Sequence, residues 1–402
     1  MTGKVESPFR AVKVTERAYW VGAVDWGIRD FHGYATRRGS TYNAYLVVAD
    51  KIALIDTVKA PFVGEMLARV ASVVDPARID YVISNHAEMD HSGGLPEVLA
   101  AVKPEKVFAS TMGVKALAEH FSLAQDVTPV KEGESLSLGN ATLQFVEARM
   151  LHWPDSMMSY LAEDRLLFSN DAFGMHLASS RRFADEIEPA VLEAEGARYY
   201  ANILLPLSTL VGKLLEKVGT LGLAIDVIAP SHGPIWRKDP GHIVSRYGEW
   251  AAGGAKRKAV VAYDTMWQST AAMARAIGDG LAAAGVETVV MPLRASHRSD
   301  VATELLEAGA LLVGSPTLNN GVFPTVADVL TYLKGLKPRH LVGAAFGSYG
   351  WSGEAVAQME EALLGMGLSV VEEGLRVKYV PDGEALSGCA ALGRRVAEKL
   401  DF

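Results

Sequence analysis

The densest chemistry in the chain lies in Asn85-His86-Ala87-Glu88-Met89-Asp90-His91-Ser92-Gly93-Gly94, directly after the apolar run DYVIS. Two imidazoles and two carboxylates fall within six residues there. Buried together, such groups repel or lack partners unless cations neutralise them, so the run points to metal binding; a solvated polar loop is the alternative. Three later residues favour the metal: His152 in MLHWPDS, Asp171 closing LLFSND, and His232 in APSHGP. Each follows an apolar strand-like run, where sheets present functional side chains. Other histidines, His120 and His340 among them, lack that setting, and His176, close after Asp171, reads as a support for a ligand at best. The seven donors His86, Glu88, Asp90, His91, His152, Asp171 and His232 exceed one tetrahedral zinc site, so two metals are expected. A carboxylate placed between two cations bridges them, and Asp171, isolated in sequence, is the candidate. Nitrogen and oxygen ligation without thiolate suits iron, manganese or zinc alike.

A second constellation begins at AVVAYD, which runs through Asp264 into Thr265-Met266-Trp267-Gln268-Ser269-Thr270 and then a helical pattern. The hydroxyls of Thr265, Ser269 and Thr270, with successive backbone N–H groups at a helix N-terminus, make a nest for a single phosphate. Neither G-x-G-x-x-G nor a Walker lysine occurs here, which argues against dinucleotides and ATP; a plain capped turn is the alternative. Two further strand ends, Gly314 to Gly321 and Phe346 to Gly353, belong to the same expected sheet edge. In the loop Pro316, Thr317, Leu318, Asn319, Asn320 and Gly321 the Thr and Asn side chains suit the polar rim of a flavin ring, and in Ser348, Tyr349, Gly350 and Trp351 the aromatics can cover its faces while the glycines let backbone amides approach. Three such loops suggest FMN.

These loops need large scaffolds. At 402 residues, with about 150 per domain, the chain holds two or three domains. Apolar residues at 49% and charged residues at 21% fit a globular protein, and the net charge of -8 offers no basic field for nucleic acid or anionic lipid. The single Cys389 excludes an intrachain disulfide and the thiolate sets of rubredoxin, zinc ribbon or ferredoxin. The N-terminal MTGKVESPFRAVKV has no apolar core, and no run reaches membrane-helix length, so a cytoplasmic protein without membrane attachment is expected.

From Lys258 onward, AVVAYD, VETVVMPL, ALLVGSPT, HLVGAAFGS and LSVVEEGL read as five strands. Helical stretches such as 271–284, 325–336 and 353–364 separate them, which predicts a doubly wound parallel sheet. Residues 1–250 mix paired strand candidates (AYWVGAV, YNAYLVVAD before KIALIDT, TLQFVEA, MSYLAEDRLLFS) with helical stretches, an α+β pattern. The segment EWAAGGAKRK reads as an exposed linker, placing the domains at 1–253 and 254–402.

The first cluster resembles the metallo-β-lactamase signature H-x-H-x-D-H, with Glu88 in place of the second His. An extra anionic oxygen hardens the site and favours redox-capable iron. With HWPDSM and SNDAFG downstream, this half looks like the flavodiiron proteins, and the second half resembles flavodoxin, so the likeness covers essentially the whole chain. It implies a metallo-β-lactamase-like αββα sandwich followed by a flavodoxin-like α/β domain. It also implies one iron on His86, Glu88 and His152 and another on Asp90, His91 and His232, with Asp171 bridging and His91 the position that water can displace. The implied reaction is reduction of O2 to water, of NO to N2O, or both, since reduced FMN plus two ferrous ions hold four electrons. A head-to-tail homodimer or dimer of dimers is implied as well, as is an external donor, rubredoxin-like or of another kind. Trp153, Phe173, Tyr199 and Tyr200 are candidates for the gas pocket, with tyrosine giving a proton or hydrogen bond. Two rivals stand beside this reading: a dizinc hydrolase with a flavodoxin appendage, against which Glu88 and the flavin loops weigh, and a non-catalytic flavin electron carrier.

Overall fold

The structure is a computed structural model that describes residues 7–400. Residues 1–6 of the N-terminal segment read above lie outside the described residues. The chain divides into two compact units: residues 1–31, 36–199 and 209–248, and residues 32–35, 200–208 and 249–402.

The first unit is built on two sheets. The seven-stranded sheet runs Val12–Lys13, Ala18–Trp20, Tyr45–Val48, Ile52–Ile55, Tyr81–Ser84, Lys106–Ser110 and Val127–Val130. It is antiparallel at the first end and parallel from Ile52–Ile55 onward. The five-stranded sheet runs Ser135–Ser137, Thr142–Glu147, Met157–Leu161, Leu166–Asn170 and Val227–Pro230, with only its last pair parallel. Strand alternation sorts the first sheet's side chains. Val47, Ala53, Ile55 and Ile83 meet Leu143, Phe145 and Phe168 of the second sheet, while Leu46, Leu54 and Val82 pack with Val63, Met66 and Val98 of helices Val63–Ala71 and Leu95–Val102. Both faces are apolar, so these strands read as continuous hydrophobic runs rather than alternating ones. The fold is the expected αββα sandwich.

The second unit holds a parallel sheet in the order Glu287–Pro292, Lys258–Tyr263, Ala310–Gly314, Val342–Tyr349. Ser369–Val370 and Leu375–Lys378 pair with successive parts of Val342–Tyr349. This is the flavodoxin-like order, whose ligand edge lies at the carboxyl ends of the strands. Helices Ser269–Ala283 and Gly383–Glu398 cover one face, and their approach depends on two glycines. A Cβ on Gly280 would lie 2.1 Å from Ala390 O, and one on Gly393 would lie 2.4 Å from Ile277 O.

Five expectations need correction. Residues 18–24 form two strands, Ala18–Trp20 and Ala23–Asp25, because a Cβ on Gly22 would meet Tyr42 O at 2.2 Å and the chain crosses a neighbouring backbone there. The run 42–50 divides likewise into Ser40–Tyr42 and Tyr45–Val48, and LSVVEEGL forms only Ser369–Val370, the last strand Leu375–Lys378 beginning at its final residue. Half of the expected linker is helical: Pro240–Ala252 carries Trp250, buried, to the turn at Gly253, where φ is 71°. Helices Arg298–Leu305 and Gly383–Glu398 were not anticipated.

Candidate metal and flavin sites

Adjacent strand ends build the metal site. Tyr81–Ser84 leads into the turn carrying His86, Glu88, Asp90 and His91. Leu166–Asn170 ends at Asp171, and its parallel neighbour Val227–Pro230 ends just before His232; Asn170 pairs with Pro230. The loop between Thr142–Glu147 and Met157–Leu161 carries His152. Asn85 locks the first turn: its backbone N–H donates to Asp56 Oδ1 (2.6 Å), its amide to Asp56 Oδ2 (3.1 Å), and its own side-chain oxygen accepts from Ser159 Oγ (2.8 Å). Burial pushes the Asp56 carboxyl up to about 6, against the opposing influence of His91 and the Asn85 donors.

The seven donors converge in two groups. His86, Glu88, His152 and Asp171 offer ligand atoms all within 4.8 Å of one another, and so do Asp90, His91 and His232. In the first, Glu88 Oε2 lies 3.3 Å from His86 Nε2 and 3.1 Å from His152 Nε2. In the second, the Asp90 oxygens lie 3.3 Å from His91 Nε2 and 3.2 Å from His232 Nε2. Asp171 faces both. Its Oδ2 lies 3.4 Å from His152 Nε2 and 3.7 Å from His86 Nε2, while its Oδ1 lies 3.2 Å from His91 Nε2 and 3.5 Å from His232 Nε2.

The donor set fits a pair of cations. Both oxygens of Asp90, both oxygens of Asp171 and both nitrogens of His91 are buried with no hydrogen-bond partner among the described residues. Buried carboxylates left in that condition are costly, and cations between them remove the cost. Their mutual electrostatics point the same way. Burial alone would lower His91, yet Asp90 and Asp171 raise it to about 9. Burial alone would raise Asp171, yet His91, His152 and His86 hold it far below the usual carboxylate range.

Around this centre, the Trp153 ring lies 5.1 Å from the His86 ring, edge-on. Phe173 packs on Tyr247 at 4.9 Å and its carbonyl accepts from Trp236 Nε1, so it serves the core beside the site. Of the two tyrosines singled out, Tyr199 is buried, 5.2 Å from the ring of His176 and 6.4 Å from that of His232. Tyr200 belongs to the second unit; it donates to Ser208 Oγ (3.1 Å) and packs on Trp250. One residue of difference along the helix turns it away. His176 packs directly on the candidate donor His232 at 4.7 Å, with Nδ1 at 2.8 Å from Ser40 Oγ, closer to the cluster than its sequence setting suggested. Phe31, beside His176 at 4.7 Å, and Asp155, bonded to His86, were missed; only the place of Asp155 within HWPDSM hinted at the latter.

In the second unit, a cavity of about 490 Å³ opens at the carboxyl ends of the strands. Met266, Trp267, Ser269, Pro316, Thr317, Asn319, Asn320, Ser348, Tyr349, Gly350 and Trp351 line it, with Ser352, Tyr379 and Val380. The other expected residues shape it from behind. Gln268 at φ 71° forms the turn into helix Ser269–Ala283; Leu318 and Gly321 pair across the hairpin that presents Asn319 and Asn320; Thr270 Oγ1 bonds Ser348 Oγ at 2.8 Å. Thr265 Oγ1 is buried without a hydrogen-bond partner among the described residues, in the turn before helix Ser269–Ala283. Tyr379 and Val380 follow the last strand, whose polar sequence disguised them.

Residues 41–233 match the family described as ODP family beta lactamase, and residues 261–393 match Flavodoxin. The chain is 49% identical to a nitric oxide reductase of Moorella thermoacetica over 97% of this chain and 98% of that one. It is 44% identical to the rubredoxin-oxygen oxidoreductase of Megalodesulfovibrio gigas over the same shares. The crystal structure of the flavodiiron protein from Giardia intestinalis superposes with a TM-score of 0.94 at 34% identity, covering 97% of each chain. With the β-lactamase-like and flavodoxin parts in this order and relatives matched end to end, the chain belongs to the flavodiiron protein family.

Proposed function

We propose that the chain is a flavodiiron oxidoreductase that reduces O2 to water, NO to N2O, or both, with FMN and two non-haem irons as its cofactors. The observation that carries this reading is Asp171, whose two oxygens turn to two different histidine–carboxylate groups. When bound, the irons supply one-electron chemistry and an open position for a diatomic gas, and FMN supplies electrons singly or in pairs.

His86, Glu88 and His152 would hold one iron and Asp90, His91 and His232 the other, with Asp171 shared. Trp153 and Phe31 wall this region with apolar surface and limit water around it. Burial pushes the Tyr199 hydroxyl well above the ordinary tyrosine range, and the carboxylates of Asp171 and Asp90 add to the effect. Tyr199 therefore keeps its proton at neutral pH and would be the group to give a proton or hydrogen bond beside His232. In the second unit, Thr265, Ser269 and Thr270 would bind the flavin phosphate, Asn319 and Asn320 the ring edge, and Tyr349 and Trp351 its faces.

Electrons would reach the flavin from an external donor, rubredoxin-like in this reading, as the names of its relatives suggest. Trp267 and Trp351 at the cavity mouth are 90% and 87% exposed, and such apolar surface suits an interface. A head-to-tail homodimer, with the flavin of one protomer beside the irons of its partner, would cover it. The reading takes 253/254 as the domain boundary and a cytoplasmic setting; no helix among the described residues is long and apolar enough to cross a membrane. Metal and flavin analysis, followed by anaerobic rapid mixing of the reduced protein with each gas, tests the proposal. Two irons and one FMN per chain, with water or N2O as product, are expected. Zinc at full occupancy with ester or β-lactam cleavage would overturn it.

A further inference from the structure

The two groups of ligands are matched in composition, each with two imidazoles and one carboxylate besides the shared Asp171. They differ in what stands behind the imidazoles. Nδ1 of His86 donates to Asp155 Oδ2 at 3.0 Å, and the same oxygen accepts the Ala87 N–H at 2.7 Å. Nδ1 of His232 donates to the backbone carbonyl of Thr41 at 2.6 Å. Nδ1 of His91 is buried with no hydrogen-bond partner among the described residues. Asp155 is itself fixed: it is buried, and its backbone carbonyl accepts from Ser110 Oγ at 2.7 Å.

A carboxylate behind an imidazole fixes the tautomer that aims Nε2 at the metal and makes that nitrogen a stronger donor than a neutral carbonyl does. We infer that Asp155 is a positioning residue whose charge makes the His86–Glu88–His152 side the tighter of the two metal positions, so that this side fills first. The inference rests on the two-metal reading above.

The test titrates the full-length, FMN-loaded chain, stripped of metal by chelation, with Co2+ under anaerobic conditions, following ligand-field absorption. The unmodified chain should take its first equivalent at least about 10-fold more tightly than its second, in two resolved steps. Asp155→Asn keeps an acceptor oxygen for both N–H groups and removes only the charge; it should weaken the first step about 10–100-fold, leave the second nearly unchanged, and merge the two. His232→Asn should keep the first step and lose the second. If Asp155→Asn binds both equivalents in the original order and strength, or weakens both alike, the inference is overturned while the two-metal reading stands. If the unmodified chain takes up fewer than two equivalents, the two-metal reading itself falls. Flavin content and far-UV circular dichroism check folding, and Asp155→Asn decides the matter should Asp155→Ala fail to fold.

Discussion

Asp171→Asn is the most exacting probe of the metal centre. The residue is buried and lies between four imidazole nitrogens at 3.2–3.7 Å, so the substitution changes charge with little change in volume. Two divalent ions carry four positive charges against the three carboxylates Glu88, Asp90 and Asp171; the variant leaves two carboxylates. One unit charge at about 4 Å in an effective dielectric of about 20 contributes about 4 kcal/mol, or about a thousandfold in affinity. The amide also presents its oxygen to one group only. Iron should fall from two per chain to one or fewer, and O2 and NO consumption should collapse, while bound FMN stays at one per chain. Elemental analysis, flavin absorbance and a gas electrode read these quantities. In chelator-treated protein the same change should lower thermal stability at pH 7, because His91, His152 and His86 hold the Asp171 carboxylate far below its usual range and the amide forfeits that interaction. A variant that retains two irons and normal turnover would refute the bridging assignment.

Three other outcomes are expected. Thr265→Val removes a buried hydroxyl without a partner, so the flavin-free protein should be as stable or slightly more so, yet FMN should bind about 10-fold less tightly and riboflavin almost unchanged, as read by fluorescence titration. Trp267→Glu with Trp351→Glu should leave unfolding of the chain within about 0.5 kcal/mol but convert a dimer to monomers in sedimentation; persistence of the dimer would remove that interface from the proposal. Burial would raise Asp164, yet the Thr15 hydroxyl and the backbone and guanidinium of Arg17 outweigh it and hold the carboxyl below its ordinary value. A depressed folded-state value adds stability above the unfolded value of about 3.9 and loses it as pH falls through the folded one. Asp164→Asn should therefore lower Tm at pH 7, with a deficit that shrinks below about pH 4.

The convergence of the candidate donors was legible because their chemistry is local: His86 to His91 fall on one turn, and Asp171 and His232 each follow an apolar strand. The flavin loops announced themselves in the same way, through Thr265 to Thr270 and the two glycine-bearing strand ends. What the sequence concealed depends on distant packing. Whether Tyr199 or Tyr200 faces the metals follows from the phase of one helix against the sheet, which composition does not record. Asp155 hid because its partner, His86, lies on another strand's turn, 69 positions away. The break at Gly22 inside AYWVGAV went unread because its close neighbour, the Tyr42 carbonyl, comes later in the chain.

Four of the seven donors ride on a turn of the seven-stranded layer, and the other three on loops of the five-stranded layer. Ions gripped from both sides would act as rivets along one rim of the sandwich, joining a turn at His86–His91 to loops that follow it in the chain at His152, Asp171 and His232. Binding free energy would then count as folding free energy. The lifetime of this unit in a cell would rise and fall with iron supply, so that scarcity of the metal removes the scaffold along with the catalyst.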